Sequence, residues 1–193
     1  MENIAGILLA GGASRRFGGN KLAACGNDTV PIGVRSATQL QAALGNLLVV
    51  VPSGNKTTLA LFDGLFEVSV CVDSSDGIGR SIAHGVAARS GADGWLVSLA
   101  DMPFIQVDTI ANLARTLLAS TSIVRPRLSG RAGHPVGFGS AYRSELTSLQ
   151  GDQGAQSIVN AHGDALVLMD TDDPGVVIDI DRPEDIATNS NVS

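Results

Sequence analysis

Hydrophobic residues in this chain form short, nearly continuous runs, and longer segments with a helical spacing of apolar positions lie between them. The first four runs, rich in Val, Leu and Ile, cover residues 4–10, 46–51, 66–72 and 94–100. Uninterrupted runs of this kind are typical of strands that are buried on both faces of a parallel sheet. The segments between and after them predict helices over residues 31–44, 56–62, 79–90 and 107–119. This alternation indicates an α/β fold with right-handed crossovers.

The second half of the chain has a different pattern. Residues 122–127 and 134–139 flank a turn that contains glycine, which predicts a hairpin or added antiparallel strands. Two more apolar runs, residues 165–169 and 176–181, predict further strands, and a last helix is expected from Pro183. The sheet is therefore expected to be mostly parallel, with an antiparallel addition.

The length of 193 residues, without an internal repeat or linker, favours one domain, residues 1–193, with a frayed tail at 188–193. Hydrophobic residues make up 44% of the chain, which is enough for a core. The 23 glycines exceed the usual share of roughly 7%. This excess indicates loops in which the backbone turns sharply or approaches a ligand closely.

The net charge of −6 argues against a nucleic-acid partner and against an anionic membrane surface. Cys25 and Cys71 form neither a CxxC pair nor a disulfide framework, as expected in a reducing compartment. The first residues lack the basic region of a signal peptide, and no window is apolar enough to span a bilayer. We therefore expect a cytoplasmic protein.

The strongest local feature is the segment LLAGGASRRFGGNK, residues 8–21, where a buried strand runs into glycines and cations. Small residues expose successive backbone N–H groups to a phosphate, and Arg and Lys side chains neutralise its charge. The spacing matches neither a Walker A loop nor GxGxxG. The segment favours a phosphate-binding loop over a flexible loop with solvated cations. As an exposed cation, Lys21 is expected to contribute little to stability.

Asp101 follows the fourth apolar run, in the segment SLADMPF. In open α/β sheets ligands bind beyond the carboxyl ends of the strands, where Asp101 and Gly11-Gly12 would both lie. A carboxylate near a polyphosphate repels it unless a divalent cation lies between them, so Asp101 is a candidate magnesium ligand. The alternative is a loop aspartate that caps backbone amides.

Residues 74–85 place Gly77, Gly79 and Ser81 after a strand end, at the start of a predicted helix, with Ser75 just before them. Backbone at Gly77 would border a nucleotide base and Ser81 would donate a hydrogen bond, or Asp76 and Ser81 would merely cap the helix.

Three features of the second half are candidates for binding. His134 lies in the predicted hairpin and is interpreted as a substrate-facing or turn-stabilising residue. A zinc site is not predicted, because the sequence offers three histidines and no CxxC. GDQGA, residues 151–155, predicts a turn into a helix with Asp152 as its N-cap. In VIDIDRPED, Asp179 and Asp181 would share one strand face, so one of them is a candidate second metal ligand. Otherwise Asp181 simply begins the helix.

Five blocks together resemble the MobA-like nucleotidyltransferase family, and within it the molybdenum cofactor cytidylyltransferases. They are LLAGGASRRFGGNKL, SLADMPF, GRAGHPVGF, GDQGA and DIDRPED, in the family's order over residues 8–185. The resemblance implies a single-domain Rossmann-like fold and a Mg²⁺-dependent reaction. In that reaction the terminal phosphate of molybdopterin attacks the α-phosphorus of CTP, which releases pyrophosphate. Residues 1–105 would bind the nucleotide and residues 106–187 the acceptor.

The resemblance also implies roles for individual residues. Lys21 and Arg16 would neutralise the triphosphate, Asp101 would bind Mg²⁺, and Asp179 would make a second metal contact. The acceptor would lie near His134, Asp152 and Gln153. The nucleotide-binding set comprises Ala10, Gly11, Gly12, Ala13, Arg16, Lys21, Ser75, Gly77, Ser81 and Asp101. Positioning and charge neutralisation supply most of this chemistry, so no nucleophilic side chain is required.

The chain departs from the cytidylyltransferase pattern at three places. The motif Leu9-Ala10-Gly11-Gly12 is typical of guanylyltransferases. Ala100 replaces a usual glycine, and Gln156 stands where a basic residue often occurs. The later blocks still favour CTP over GTP.

Other functions remain open. One alternative is guanylyl transfer to the same acceptor, or nucleotidyl transfer to a sugar phosphate. Another is a non-catalytic carrier that hands the cofactor to a molybdoenzyme or its chaperone. A dinucleotide-dependent oxidoreductase is disfavoured because the first strand does not end in GxGxxG, and a serine hydrolase because no GxSxG occurs.

Overall fold

The computed structural model describes residues 3–11, 17–26, 28–73, 77–117, 121–152 and 154–189, with side chains of the last helix to Ile186. The strands are β1 Ile4–Leu9, β2 Leu47–Pro52, β3 Val68–Cys71, β4 Gly94–Leu99, β5 Ile123–Leu128, β6 Arg131–Ala132, β7 Val136–Gly139 and β8 Leu166–Asp170. The α-helices are α1 Ile32–Leu44, α2 Lys56–Phe62, α3 Ile78–Ala88, α4 Val107–Thr116, α5 Arg143–Thr147, α6 Gln156–Ala161 and α7 Pro183–Asn189. Short 3₁₀ helices cover Lys21–Ala23, Ser140–Tyr142, Gly163–Ala165 and Pro174–Val177.

The eight strands form one mixed sheet in the order β3-β2-β1-β4-β7-β5-β6, with β8 paired to β5. Strands β1 to β4 are parallel to one another, and β7 joins β4 in the antiparallel direction. The predicted α/β fold, with a mostly parallel sheet and an antiparallel hairpin, is confirmed. None of the described helices is long and apolar enough to cross a membrane.

The core has two layers because each central strand is buried on both faces. Along β1, Ile7 belongs to the cluster on one face of the sheet and Leu8 to the cluster on the other. Trp95 and Leu96 divide in the same way along β4. Alternate residues of a strand point to opposite faces, so a strand buried twice needs apolar residues at every position. This explains the continuous hydrophobic runs of the sequence.

The strand predicted at residues 176–181 is wrong. The segment instead begins with the 3₁₀ helix Pro174–Val177 and continues without strand pairing. Its apolar residues are buried for another reason: Val176 packs into the main core, and Ile180 packs into a smaller cluster near α1 and α7. Gly175 lies directly on backbone, since an added Cβ would lie 2.1 Å from the carbonyl oxygen of Phe104.

Three further predictions need correction. Asp152 is not the N-cap of α6, because that helix begins at Gln156 after Ala155, which makes no side-chain cap. The helix predicted to residue 119 ends at Thr116. Helix α7 extends to Asn189, into the segment expected to be frayed, and residues 190–193 lie outside the described part of the chain.

Candidate active site

The carboxyl ends of β1 and β4 lie side by side and bring the first two candidate segments together. Leu9 pairs with Leu99, and the N–H of Ala100 donates to the carbonyl of Leu9 at 3.1 Å. Ala10 is buried and its N–H donates to the carbonyl of Val50 at 2.9 Å, while Gly11 is exposed. Gly12, Ala13 and Arg16, all expected to bind nucleotide, lie outside the described residues.

Lys21 begins a short helix whose start is held by Asn20. The Asn20 side chain accepts a hydrogen bond from the N–H of Leu22 at 3.2 Å and donates one to Thr58 Oγ1 at 3.3 Å. Lys21 itself is only 7% exposed. The expectation that Lys21 is exposed is therefore wrong, because the side chain is buried beside Asp101 and Asp181.

The ammonium group of Lys21 lies between two carboxylates. Its Nζ donates to Asp101 Oδ2 at 2.6 Å and to Asp181 Oδ1 at 3.4 Å. Burial lowers the pKa of Lys21, but the hydrogen bonds and charges of Asp101 and Asp181 outweigh it, so the pKa lies above its ordinary value. Lys21 is therefore charged at neutral pH.

Asp181 reaches this cluster through the segment that was expected to be a strand. The N–H of Ile180 donates to the carbonyl of Asp101 at 2.9 Å, and the Ile180 side chain is fully buried. The N–H of Asp181 donates to Asp185 Oδ2 at 3.0 Å. Without a strand, Asp179 and Asp181 do not share a strand face. Asp179 instead interacts electrostatically with His134.

Asp101 and Asp181 fit a magnesium ion in charge and in ligand chemistry. Asp101 Oδ1 is buried and accepts no hydrogen bond, so this oxygen is free to bind a cation. Mg²⁺ prefers carboxylate oxygens and commonly uses one or two of them together with substrate phosphates. A preformed cage is absent, since no group of three or more His, Cys, Asp or Glu among the described residues is placed to hold a metal.

The start of α3 packs against the GDQGA turn. Gly77 has φ +110°, and an added Cβ would lie 2.3 Å from the carbonyl carbon of Gly151. The N–H of Gly79 donates to the carbonyl of Gly151 at 2.9 Å. Ser81 is buried and lies close to the thiol of Cys71. Gly77 and Ser81 thus have structural partners, and Ser75 is outside the described residues.

Two of the predicted acceptor residues, His134 and Asp152, lie within the described part of the chain. The N–H of His134 donates to the carbonyl of Val176 at 2.8 Å, and its Nδ1 is buried without a hydrogen-bond partner. Burial, together with the charge of Arg125, lowers the pKa of His134 to about 4 against a smaller opposite effect of Asp179. Asp152 is exposed, and Gln153 falls among the residues that are not described.

Sequence reasoning missed one residue here, Arg125 on β5. Its side chain contacts the carbonyl of Gly133 and the amide of Gln156. The sequence signal for Arg125 was weak, because Arg125 and Arg127 alternate along the strand, and such an alternation is also typical of a strand face exposed to solvent.

The fold is that of the α/β nucleotidyltransferases, as superposition on solved structures shows. The chain superposes on Rv0371c of Mycobacterium tuberculosis H37Rv with a TM-score of 0.78 and 25% identity, covering 95% of each chain. It superposes on a nucleotidyl transferase from Methanothermobacter thermautotrophicus with a TM-score of 0.79 and 18% identity, covering 94% of this chain and 93% of that one.

Sequence similarity identifies the family. The MobA-like NTP transferase domain matches residues 6–166, and the chain belongs to that family. The purine catabolism protein PucB of Bacillus subtilis strain 168 is 31% identical over 93% of this chain and 92% of its own length. The protein is thus a nucleotidyltransferase of the MobA-like family.

Proposed function

We propose that this enzyme transfers CMP from CTP to the terminal phosphate of molybdopterin and releases pyrophosphate. The observation that carries the proposal is the buried Lys21 between Asp101 and Asp181, at the end of the strand that leads into the glycine-rich loop. This arrangement offers a cation to a triphosphate and two carboxylates to a magnesium ion. A glycine-rich loop and a positively charged side chain beside it are what phosphoryl transfer requires from a protein.

In this mechanism the side chains act mainly by charge. Lys21 exchanges its carboxylate partners for triphosphate oxygens and neutralises charge on the departing pyrophosphate. Backbone amides of Gly11, Gly12 and Ala13, together with Arg16, hold the remaining phosphates. The bound nucleotide and acceptor are thereby oriented for an in-line attack.

Asp101 and Asp181 would hold the magnesium ion. A Mg²⁺ ion held by these carboxylates would supply Lewis-acid chemistry that makes the α-phosphorus more electrophilic. Asp179, the first candidate for a second metal contact, is a weaker candidate than Asp181 because only Asp181 shares Lys21 with Asp101. A use of divalent ions agrees with the fold, since Rv0371c has been solved in complex with manganese.

The base and the acceptor would bind next to each other, because Gly77 and Asp152 are in direct contact. We assign the base to the region of Ser75, Gly77 and Ser81, with CTP preferred over GTP. We assign molybdopterin to the side of His134, Asp152 and Gln153. PucB is named for purine catabolism, so a molybdoenzyme of that process, in the cytoplasm, is the recipient that we propose.

The test is to incubate the protein with molybdopterin, MgCl₂ and either CTP or GTP, and to identify the dinucleotide by mass. We expect the cytidine dinucleotide and stoichiometric pyrophosphate. The Asp101→Asn variant should lose this activity. Asp93→Asn is the matched control. Asp93 precedes β4, whereas Asp101 follows it, and the Asp93 side chain accepts a hydrogen bond from the N–H of Asn3.

Three results contradict the proposal in different ways. A guanosine dinucleotide alone would make the enzyme a guanylyltransferase. Products with sugar phosphates but not with molybdopterin would change the acceptor. Binding of molybdopterin without any product, unaffected by Asp101→Asn, would indicate a carrier.

A further inference from the structure

Arg125 is a half-buried cation on the acceptor side of the sheet. It lies on β5, two residues after Ile123, so its side chain projects to the same face as that core residue. Its Nε donates to the carbonyl of Gly133 at 2.7 Å, and its Nη1 donates to Gln156 Oε1 at 3.0 Å. These two contacts hold the guanidinium group in a fixed orientation.

No described residue neutralises the charge of Arg125. Both of its hydrogen-bond partners are neutral, and within the described residues it forms no ion pair. Burial lowers its pKa, and no opposing carboxylate contributes. Arg127, two residues further along the strand, shows the contrast, since it pairs with Asp170 at 2.6 Å. A half-buried guanidinium without a counterion is costly unless a ligand supplies the negative charge.

A second unsatisfied group lies beside this cation. His134 is close enough to Arg125 for the two to interact electrostatically, and the buried Nδ1 of His134 has no partner. In the tautomer protonated at Nδ1, the ring offers one more N–H donor. A guanidinium group together with such a donor matches the oxygens of a phosphate group.

This pair is close to the catalytic cluster. Asp179 interacts with His134, whereas Asp181 contacts Lys21, and the two aspartates are two residues apart. Two residues of extended chain span at most about 7 Å. A ligand phosphate near Arg125 therefore lies within one small molecule's length of a triphosphate at Lys21.

We propose that Arg125 and the Nδ1 of His134 bind the phosphate monoester of the acceptor, so that Arg125 selects phosphorylated acceptors. This inference rests on the proposed function and adds a residue that determines specificity. Gln156, which the family resemblance marks as a position for a basic residue, is neutral here and holds Arg125 in place, so Arg125 supplies the cation.

The experiment compares Arg125→Gln, Arg125→Lys and the control Arg127→Gln with the wild type. Acceptor KM, CTP affinity and competition by inorganic phosphate are measured for each. Loss of a charged hydrogen bond corresponds to a rise in acceptor KM of about 10- to 100-fold for Arg125→Gln. CTP affinity should not change. Arg125→Lys keeps the charge without the fork geometry and should show a smaller rise.

Competition by inorganic phosphate separates binding from a purely structural role. Phosphate should compete with the acceptor in the wild type and in Arg127→Gln, and much less in Arg125→Gln. An unchanged acceptor KM in Arg125→Gln overturns the inference while the proposed function stands. An equal loss of CTP affinity and acceptor affinity also overturns it, since that outcome indicates a general distortion.

Failure of the proposed function gives a different result. If molybdopterin yields no dinucleotide, thermal stabilisation by inorganic phosphate still tests the site. Stabilisation of the wild type that is lost in Arg125→Gln supports the phosphate site with another acceptor. No stabilisation of the wild type overturns the inference.

Discussion

Replacing Lys21 by Met removes one charge and leaves a similar apolar stem in place. Lys21 is 7% exposed, and the side chains of Asp101 and Asp181 are 18% and 43% exposed. Removing one partner of a buried ion pair costs about 3–5 kcal/mol, because the other charge stays buried alone. Since Asp181 is largely solvated, we expect a loss of unfolding free energy near the lower end, about 3 kcal/mol.

Two comparisons attribute this loss to the carboxylates. Adding Asp101→Asn to Lys21→Met removes the more buried of the two carboxylate charges left without a partner, and should recover about half of the loss. Lys56→Met is the matched control, because Lys56 is the other lysine of the chain and is exposed. Its effect should stay within about 0.5 kcal/mol.

Magnesium provides the sharper comparison. If Lys21 and Mg²⁺ use the same carboxylates, Mg²⁺ should stabilise Lys21→Met more than the wild type. A ligand at a hundred times its Kd stabilises a protein by about 2.7 kcal/mol. The assay is urea unfolding of each variant with and without MgCl₂. A loss below about 1 kcal/mol in Lys21→Met, with the same response to Mg²⁺ as the wild type, would refute this account of the cluster.

Two further substitutions test other parts of the structure. Gly77→Ala should lower the unfolding free energy by about 2–3 kcal/mol because of its positive φ and the contact with Gly151. Gly91→Ala, where an added Cβ meets nothing within 4 Å, should cost far less in the same thermal melts, and equal melting temperatures would contradict this. His134 has a folded pKa of about 4, below its ordinary 6.5, so its contribution to stability is complete above pH 6.5 and is lost as the pH falls toward 4. Between pH 7.5 and 5 the wild type should therefore lose about 2 kcal/mol more than His134→Asn in urea unfolding, and parallel pH profiles would contradict the neutral buried ring.

The parallel half of the sheet could be predicted from sequence because burial on both faces leaves a simple signal. Each of β1, β2 and β4 is a run of mostly apolar residues, and β1 and β4 end just before candidate site residues. The rule that ligands bind beyond the carboxyl ends of such strands then placed Asp101 near the glycine-rich loop. The structure brings Lys21 and Asp101 together at this edge.

Asp181 and Arg125 were harder to predict because their positions depend on tertiary contacts. The segment around Ile180 has an alternating pattern that indicates a strand. It is in fact fixed by the packing of Gly175 on Phe104 and by one hydrogen bond to the backbone of Asp101. Arg125 differs from Arg127 in having no carboxylate partner among the described residues, which no pattern along the chain reveals.

The central claim is that Asp101 binds nucleotide through magnesium beside Lys21, and titration with CTP tests it most directly. CTP is titrated into wild type and Asp101→Asn, each with and without MgCl₂, by calorimetry. We predict that Mg²⁺ strengthens CTP binding to the wild type at least about tenfold and has little effect on Asp101→Asn. Without Mg²⁺ the variant should bind CTP as well as the wild type or better, since one negative charge is gone. Identical responses of the two proteins to Mg²⁺ would contradict the account.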